Sequence, residues 1–201
     1  MKQIIKDALI LFAITAVAGI LLAFVNEITK GPIAQQELEK KEEACRAVFT
    51  DAVSFNMIPY PEGDSLYVNW AEQFPQNEIQ KVYSAHDAAG QLLGYVITIS
   101  NKEAYNGEIV FSMGVRLDRT LNGIAILSTE ETVGLGLEAE NVLVPQFADK
   151  NVDSFVYTKN GAMQENEIDA ISSATITTNA FVNGVNAGLA YFDWVLWKGG
   201  A

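Results

Sequence analysis

Five hydroxyl side chains crowd one short stretch near the C-terminus: Ser172, Ser173, Thr175, Thr177 and Thr178 lie within IDAISSATITTN, residues 168–179. A helix is expected just beyond them, so they sit at its mouth. The first turn of a helix has backbone N–H groups without intrahelical partners and carries the positive end of the dipole, which suits phosphate. A hydroxyl placed there can hydrogen-bond an anion, or become esterified to one if an enzyme acts on it. Asp169 has the right type to cap a turn, or to hold a cation or transferase during phosphate delivery. Residue types alone favour a plainer reading, an ordinary helix cap. A hydrolase nucleophile is poorly supported, because there is no Gly-x-Ser-x-Gly elbow and the sole histidine, His86, is far away in sequence.

A second candidate is TEETVGLG, residues 129–136. Gly134 and Gly136 flank Leu135 after a strand-like run, which lets the backbone approach a flat ligand or simply turn. A turn is the commoner use of such glycines. No Gly-Lys-Ser/Thr follows, so this is not a P-loop. With one cysteine, Cys45, and one histidine, the chain cannot form an internal disulfide or a cysteine-rich zinc or iron–sulfur site. Cys45 is expected to be incidental.

The elements that must position these residues follow from periodicity. Phe181, Val185, Leu189, Phe192 and Leu196 make one apolar stripe, predicting a helix from about Thr177 to Trp197 with Trp194 and Trp197 buried in the domain. Strands are expected over residues 79–85, 92–100, 108–118, 123–128 and 154–158. A turn is expected at Asp87–Gly90 and another containing Asn122-Gly123. Residues 143–148 suggest a short helix. Upstream, residues 33–49 have the charge mixture of an exposed helix. The stretch from there to about Gln76, with Pro59, Pro61, Gly63 and Pro75, reads as loop-rich.

The N-terminus is of another kind. Residues 8–25, ALILFAITAVAGILLAFV, carry no charge. About 18 residues make roughly 27 Å of helix, enough to cross a hydrocarbon core with flanking help. Signal-peptide cores are usually shorter, and no clean small-x-small cleavage site follows Val25, so an uncleaved anchor is favoured. Gly31-Pro32 is expected to end it. Lys2 and Lys6 favour a cytoplasmic N-terminus, with the rest of the chain extracytoplasmic, although Lys30, Lys40, Lys41 and Arg46 weaken the asymmetry. The net charge of −12 argues against a nucleic-acid partner, since a phosphate backbone demands Lys and Arg.

The motifs, taken together after one membrane span, resemble the FMN-binding domain family. That family includes the G subunit of the Rnf complex (ferredoxin:NAD oxidoreductase) and the C subunit of the sodium-translocating NADH:quinone oxidoreductase. Its flavinylation signature, Asp, two variable residues, then Ser/Thr-Gly-Ala-Thr/Ser, is matched by Asp169-Ala170-Ile171-Ser172-Ser173-Ala174-Thr175. Its Glu-Thr-Pro-Gly-Leu-Gly is matched by Glu131-Thr132-Val133-Gly134-Leu135-Gly136, and its Tyr-x-Gly by Tyr105-Asn106-Gly107. Two positions depart: Ser173 replaces Gly and Val133 replaces Pro. Ser173 requires ordinary backbone there or about 1 kcal/mol of strain, and Val133 loosens its loop.

The resemblance implies an α+β fold: a transmembrane anchor over residues 1–30, a helix-and-loop connector over 31–78, and an FMN-binding domain over 79–201 with an antiparallel sheet and a C-terminal helix. It implies FMN joined through its phosphate to Thr175, delivered by a flavin transferase. Asp169, Ser172, Ser173, Ala174, Glu131, Thr132, Gly134, Leu135 and Gly136 would complete the binding site. It also implies a relay role among the membrane and peripheral subunits of an Rnf-like complex; size and the single span look more like the Rnf G subunit. The alternatives are an anchored assembly or sensory module without flavin, or a flavin domain serving another reductase.

Overall fold

The computed structural model describes residues 2–59, 64–129, 139–172 and 174–197. The chain divides into two compact units, residues 1–42 and 43–201.

The first unit is helical. Helix α1 runs from Lys2 to Val48, and its segment Gln3–Gly31 is long and apolar enough to span a bilayer. Ile4, Leu9, Leu11, Phe12, Ile20, Leu22 and Phe24 all point away from protein. Such a face is unfavourable in water and suits a lipid surrounding. Gly31-Pro32 does not end the helix as expected. Proline removes one backbone donor and pushes the preceding residue out of helical geometry, chiefly through that residue's Cβ. Glycine has no Cβ, so Gly31 is the residue least opposed to a helix that continues.

The second unit is built on a five-stranded antiparallel sheet in sequential order. Its strands are β1 (Ser54–Ile58), β2 (Asn77–His86), β3 (Leu92–Ala104), β4 (Gly107–Arg116) and β5 (Leu121–Thr129). Helix α2 (Ser65–Gln73) lies between β1 and β2 in the chain. After β5 come a π-helical turn, Ala139–Leu143, and helix α3 (Val144–Phe147). Strands β6 (Val156–Thr158) and β7 (Glu167–Asp169) then pair in parallel. Helix α4 (Thr175–Tyr191) continues into a second π-helical turn, Phe192–Leu196.

The β2–β3 turn falls at Asp87–Gly90, as the composition suggests: Asp87 Oδ1 accepts from the N–H groups of Ala89 and Gln91, both at 2.8 Å, and Gly90 has φ +78°. Between β3 and β4 only Tyr105 and Asn106 intervene, and Gly107 at φ +145° makes the tight reversal possible. The expected turn at Asn122-Gly123 is displaced. The reversal lies at Leu117–Thr120, where Arg119 takes φ +72°, while Asn122 and Gly123 sit inside β5. Asn122 has a packing task instead: its Oδ1 accepts from Arg116 Nε and its Nδ2 donates to the Val48 carbonyl.

The stretch read as loop-rich also carries structure, since β1 pairs with β2 from Ser54↔His86 to Ile58↔Val82. Asp64 caps α2 by accepting from Leu66 N–H at 2.8 Å. Trp70 in α2 is fully buried and donates its Nε1 hydrogen to the Ala187 carbonyl, 2.8 Å away.

Both faces of the sheet are covered. On one, Ile97, Ile99, Phe111 and Met113 pack with Phe181, Val185 and Leu189 of α4. On the other, Cys45, Val48, Phe49 and Ala52 pack with Ala85 and Val96. The helix stripe is therefore core. Trp194 is half-buried beside Phe74, ring centroids 6.1 Å apart. Trp197 departs from the expected burial: it is 44% exposed, with its ring against Phe192.

Candidate functional site

The hydroxyl cluster is sorted by the helix it introduces. Ala174 occupies the cap position of α4, and among the described residues no side-chain cap bond is made there. The first in-helix bond is from Thr178 N–H to the Ala174 carbonyl at 3.0 Å. The backbone N–H groups of Thr175 and Ile176 thus have no helical carbonyl one turn back. Thr175 is half-buried at this end, Ser172 is exposed, and Thr177 and Thr178 are buried.

Thr178 is structural. Its Oγ1 accepts from Ile171 N–H at 3.2 Å and donates to the Ala174 carbonyl at 3.0 Å. Together with the Ala174 N–H bond to the Ile171 carbonyl, 3.1 Å, this ties Ile171 to Ala174 just ahead of Thr175. Ile171 and Ala174 are both in the core, so the approach to Thr175 is anchored from beneath.

Asp169 ends β7. On one side of the strand, Ala170 N–H bonds the Thr158 carbonyl at 2.8 Å. On the other, Gln146 meets Asp169 with a paired amide. Asp169 N–H donates to Gln146 Oε1 at 2.7 Å, and Gln146 Nε2 donates to the Asp169 carbonyl at 3.2 Å. The Asp169 carboxylate accepts from Ala162 N–H through Oδ1 at 2.6 Å, which pins the 159–166 loop to the same strand. Gln146 Nε2 also donates to the Val142 carbonyl at 2.7 Å.

Glu131, Thr132, Gly134, Leu135 and Gly136 lie outside the described residues, as does Ser173. The ends of the glycine segment are placed. Thr129 pairs with Ile109 at the end of β5, and Ala139 and Leu143, in the π-helical turn, are buried in the same core as Ile171 and Ala174. That turn packs against α4. Sequence alone does not single out Gln146, a lone glutamine in VPQF with no motif or periodicity around it. Only the fold brings it to Asp169.

What this arrangement can do is hold an anion at an uncapped helix end, with a hydroxyl in the first turn and a carboxylate six residues earlier on a braced strand.

A family model described as an FMN-binding domain matches residues 104–190, and one described as the RnfG N-terminal region matches residues 1–48. The G subunit of the sodium-translocating ferredoxin:NAD(+) oxidoreductase complex of Acetobacterium woodii is 31% identical over 194 residues, covering 96% of this chain and 93% of that one. The G subunit of the ion-translocating oxidoreductase complex of Methanosarcina acetivorans is 29% identical, covering 94% and 95%. The crystal structure of Shewanella oneidensis NqrC superposes with a TM-score of 0.52 at 17% identity, over 77% of this chain and 88% of that one, which is a likeness of fold.

Proposed function

Because this chain belongs to the family of G subunits of ion-translocating ferredoxin:NAD(+) oxidoreductase complexes and contains an FMN-binding domain, we propose that it is the electron-transfer subunit of such a complex and carries FMN as a phosphoester on Thr175. The observation that supports the attachment point is the uncapped start of α4 with Thr175 half-buried in its first turn.

In this reading Thr175 Oγ forms a bond to the flavin-side phosphorus of FAD, held on a flavin transferase. The phosphorus–oxygen bond to AMP breaks, AMP leaves with the electron pair, and the hydroxyl proton passes to the transferase. The N–H groups of Thr175 and Ile176 would hold the esterified phosphate, whose remaining negative charge suits the positive helix end. The Asp169 carboxylate would hold a cation or the transferase while the phosphate is delivered, and Ser172, Ser173 and Ala174 would complete the binding segment. Glu131, Thr132, Gly134, Leu135 and Gly136 would complete the flavin site. Bound FMN supplies reversible electron uptake, and the chain supplies place and surroundings. A covalent link suits a carrier facing an open aqueous compartment, where a dissociable flavin is lost by dilution. The reading puts the N-terminus in the cytoplasm and the flavin domain outside, with the other members of the complex as redox neighbours. Protease added to intact cells should therefore cleave the domain.

The test is co-expression of the full chain with a flavin transferase, followed by in-gel fluorescence after boiling in detergent and intact mass. Wild type and Thr175→Ser should carry FMN less one water, and Thr175→Val should be dark. A dark wild type, or a fluorescent T175V, removes the phosphoester. Ser173 in place of Gly favours a second reading, an anchored module without flavin; an unmodified mass on native protein would establish it.

A further inference from the structure

We infer that Gln146 is the positioning residue that fixes the Asp169–Thr175 segment for flavin attachment, and that it does so by locking that segment to the one that follows the glycine loop. This rests on the Thr175 phosphoester proposed above.

The geometry is that of a side chain acting as a third strand. In the parallel β6–β7 pair the backbone groups of Ile168 and Ala170 face β6, while those of Asp169 face away. Strand β7 therefore offers its outer N–H and C=O at the motif aspartate. Gln146 covers both with one amide, at 2.7 and 3.2 Å. The amide is itself preset, because Nε2 also bonds the Val142 carbonyl at 2.7 Å. Val142 belongs to the π-helical turn reached directly from residues 130–138. One side chain thus ties the exit of the glycine segment to the first residue of the hydroxyl motif.

Gln146 is held in place by its neighbours. Phe147, fully buried, sets the α3 backbone against the core with its ring edge-on to Phe155, centroids 4.9 Å apart. Movement of Gln146 is therefore transmitted to Asp169 rather than absorbed locally. A group transfer is sensitive to such displacement, since a misplacement of about 1 Å reduces rate on the order of a hundredfold.

Gln146 contributes both an acceptor and a donor, and substitutions separate them. Gln146→Glu keeps an acceptor for Asp169 N–H but turns a carboxylate toward the Val142 and Asp169 carbonyls. Gln146→Met keeps the length and loses every bond. The structure also contains a matched control: Asn186 clasps the Phe155 backbone in the same two-bond manner, N–H to Oδ1 at 2.7 Å and Nδ2 to the carbonyl at 2.9 Å. It lies outside both motifs.

The experiment uses the full-length chain in detergent with FAD and a flavin transferase, following the fraction of flavin-bearing chain with time, normalised to folded protein. The reduction potential of each flavin-bearing product is measured alongside. Q146M and Q146E should slow attachment by about tenfold or more, and the product's potential should shift from wild type. Asn186→Ser should lower the melting temperature comparably yet attach flavin at the wild-type rate. Wild-type kinetics in Q146M with an unchanged potential, or an equal loss in N186S, overturns the inference while leaving the phosphoester standing. A wild-type chain that takes no flavin overturns both.

Discussion

At the scale of single residues, Thr178 shows how one hydroxyl cluster divides into different tasks. Its Oγ1 serves two backbone groups in a place where water cannot substitute, because Thr178 is fully buried. Thr178→Val keeps the shape and leaves Ile171 N–H without this acceptor, an omission costing about 1–3 kcal/mol. The melting temperature of the full chain should fall and, on the proposed phosphoester, flavin attachment should fall with it, since the Ile171–Ala174 tie lies just ahead of Thr175. Thr178→Ser should restore both. This division is partly legible in the sequence. Thr178 is three residues before Phe181 and seven before Val185, so the apolar stripe already puts it on the core side. The half-burial of Thr175 and the exposure of Ser172 are not legible, because they depend on where β7 delivers the chain. Gln146 leaves no trace at all, because its significance lies in a contact 23 residues distant in sequence.

At the scale of elements, alternating and periodic patterns locate the strands from β2 to β5 and the C-terminal helix to within a few residues. Two kinds of signal mislead. Proline and glycine around residues 59–63 suggest loop and conceal β1 and α2, whose burial is set by Trp70 and by pairing with β2. Asn122-Gly123 has the composition of a hairpin turn, yet Gly123 pairs with Gly114 inside the ladder. A Cβ at Gly123 would meet nothing within 4 Å, whereas other glycines of the domain serve close packing. A Cβ added at Gly94 would run into the Val115 carbonyl and the Arg116 Cα, both backbone, as well as Phe49. At Gly184 in α4 it would meet chiefly the Phe111 ring, at 2.9 and 3.0 Å. Gly94→Ala should therefore cost about 3 kcal/mol, the upper end for overpacking. Gly184→Ala should stay within about 1 kcal/mol, as helix propensity offsets a ring that can shift. Denaturant titration of the two variants checks the order, and a larger loss for G184A would contradict it.

At the scale of the whole molecule, the aromatic cluster joining α2 to the end of α4 gives stability a pH dependence. Tyr191 packs edge-on to Trp70 and Tyr67, with centroids 5.5 and 6.2 Å apart. Burial, and then the neighbouring Tyr67 and Asp64, push its phenol up to about 12. The unfolded chain releases that proton near pH 10 and the folded chain holds it, so the contribution is complete below pH 10 and is lost as pH rises toward 12. Stability should fall by up to about 1.4 kcal/mol per pH unit across that window. Tyr191→Phe should flatten the decline in guanidinium midpoints measured from pH 9 to 12; an unchanged slope would mean another group controls it.

The sequential strand order has a consequence for the timing of maturation. Each strand pairs with the one just before it, so the hairpins close over short stretches of chain and can assemble as the polypeptide emerges, N-terminal end first. The layer covering Ile99, Phe111 and Met113 comes last, because it is the closing helix. Thr175 begins that helix. On the proposed phosphoester, a transferase that recognises the threonine at a finished helix end would meet only chains that have completed their core, and the yellow colour of the product would become a stamp of correct folding.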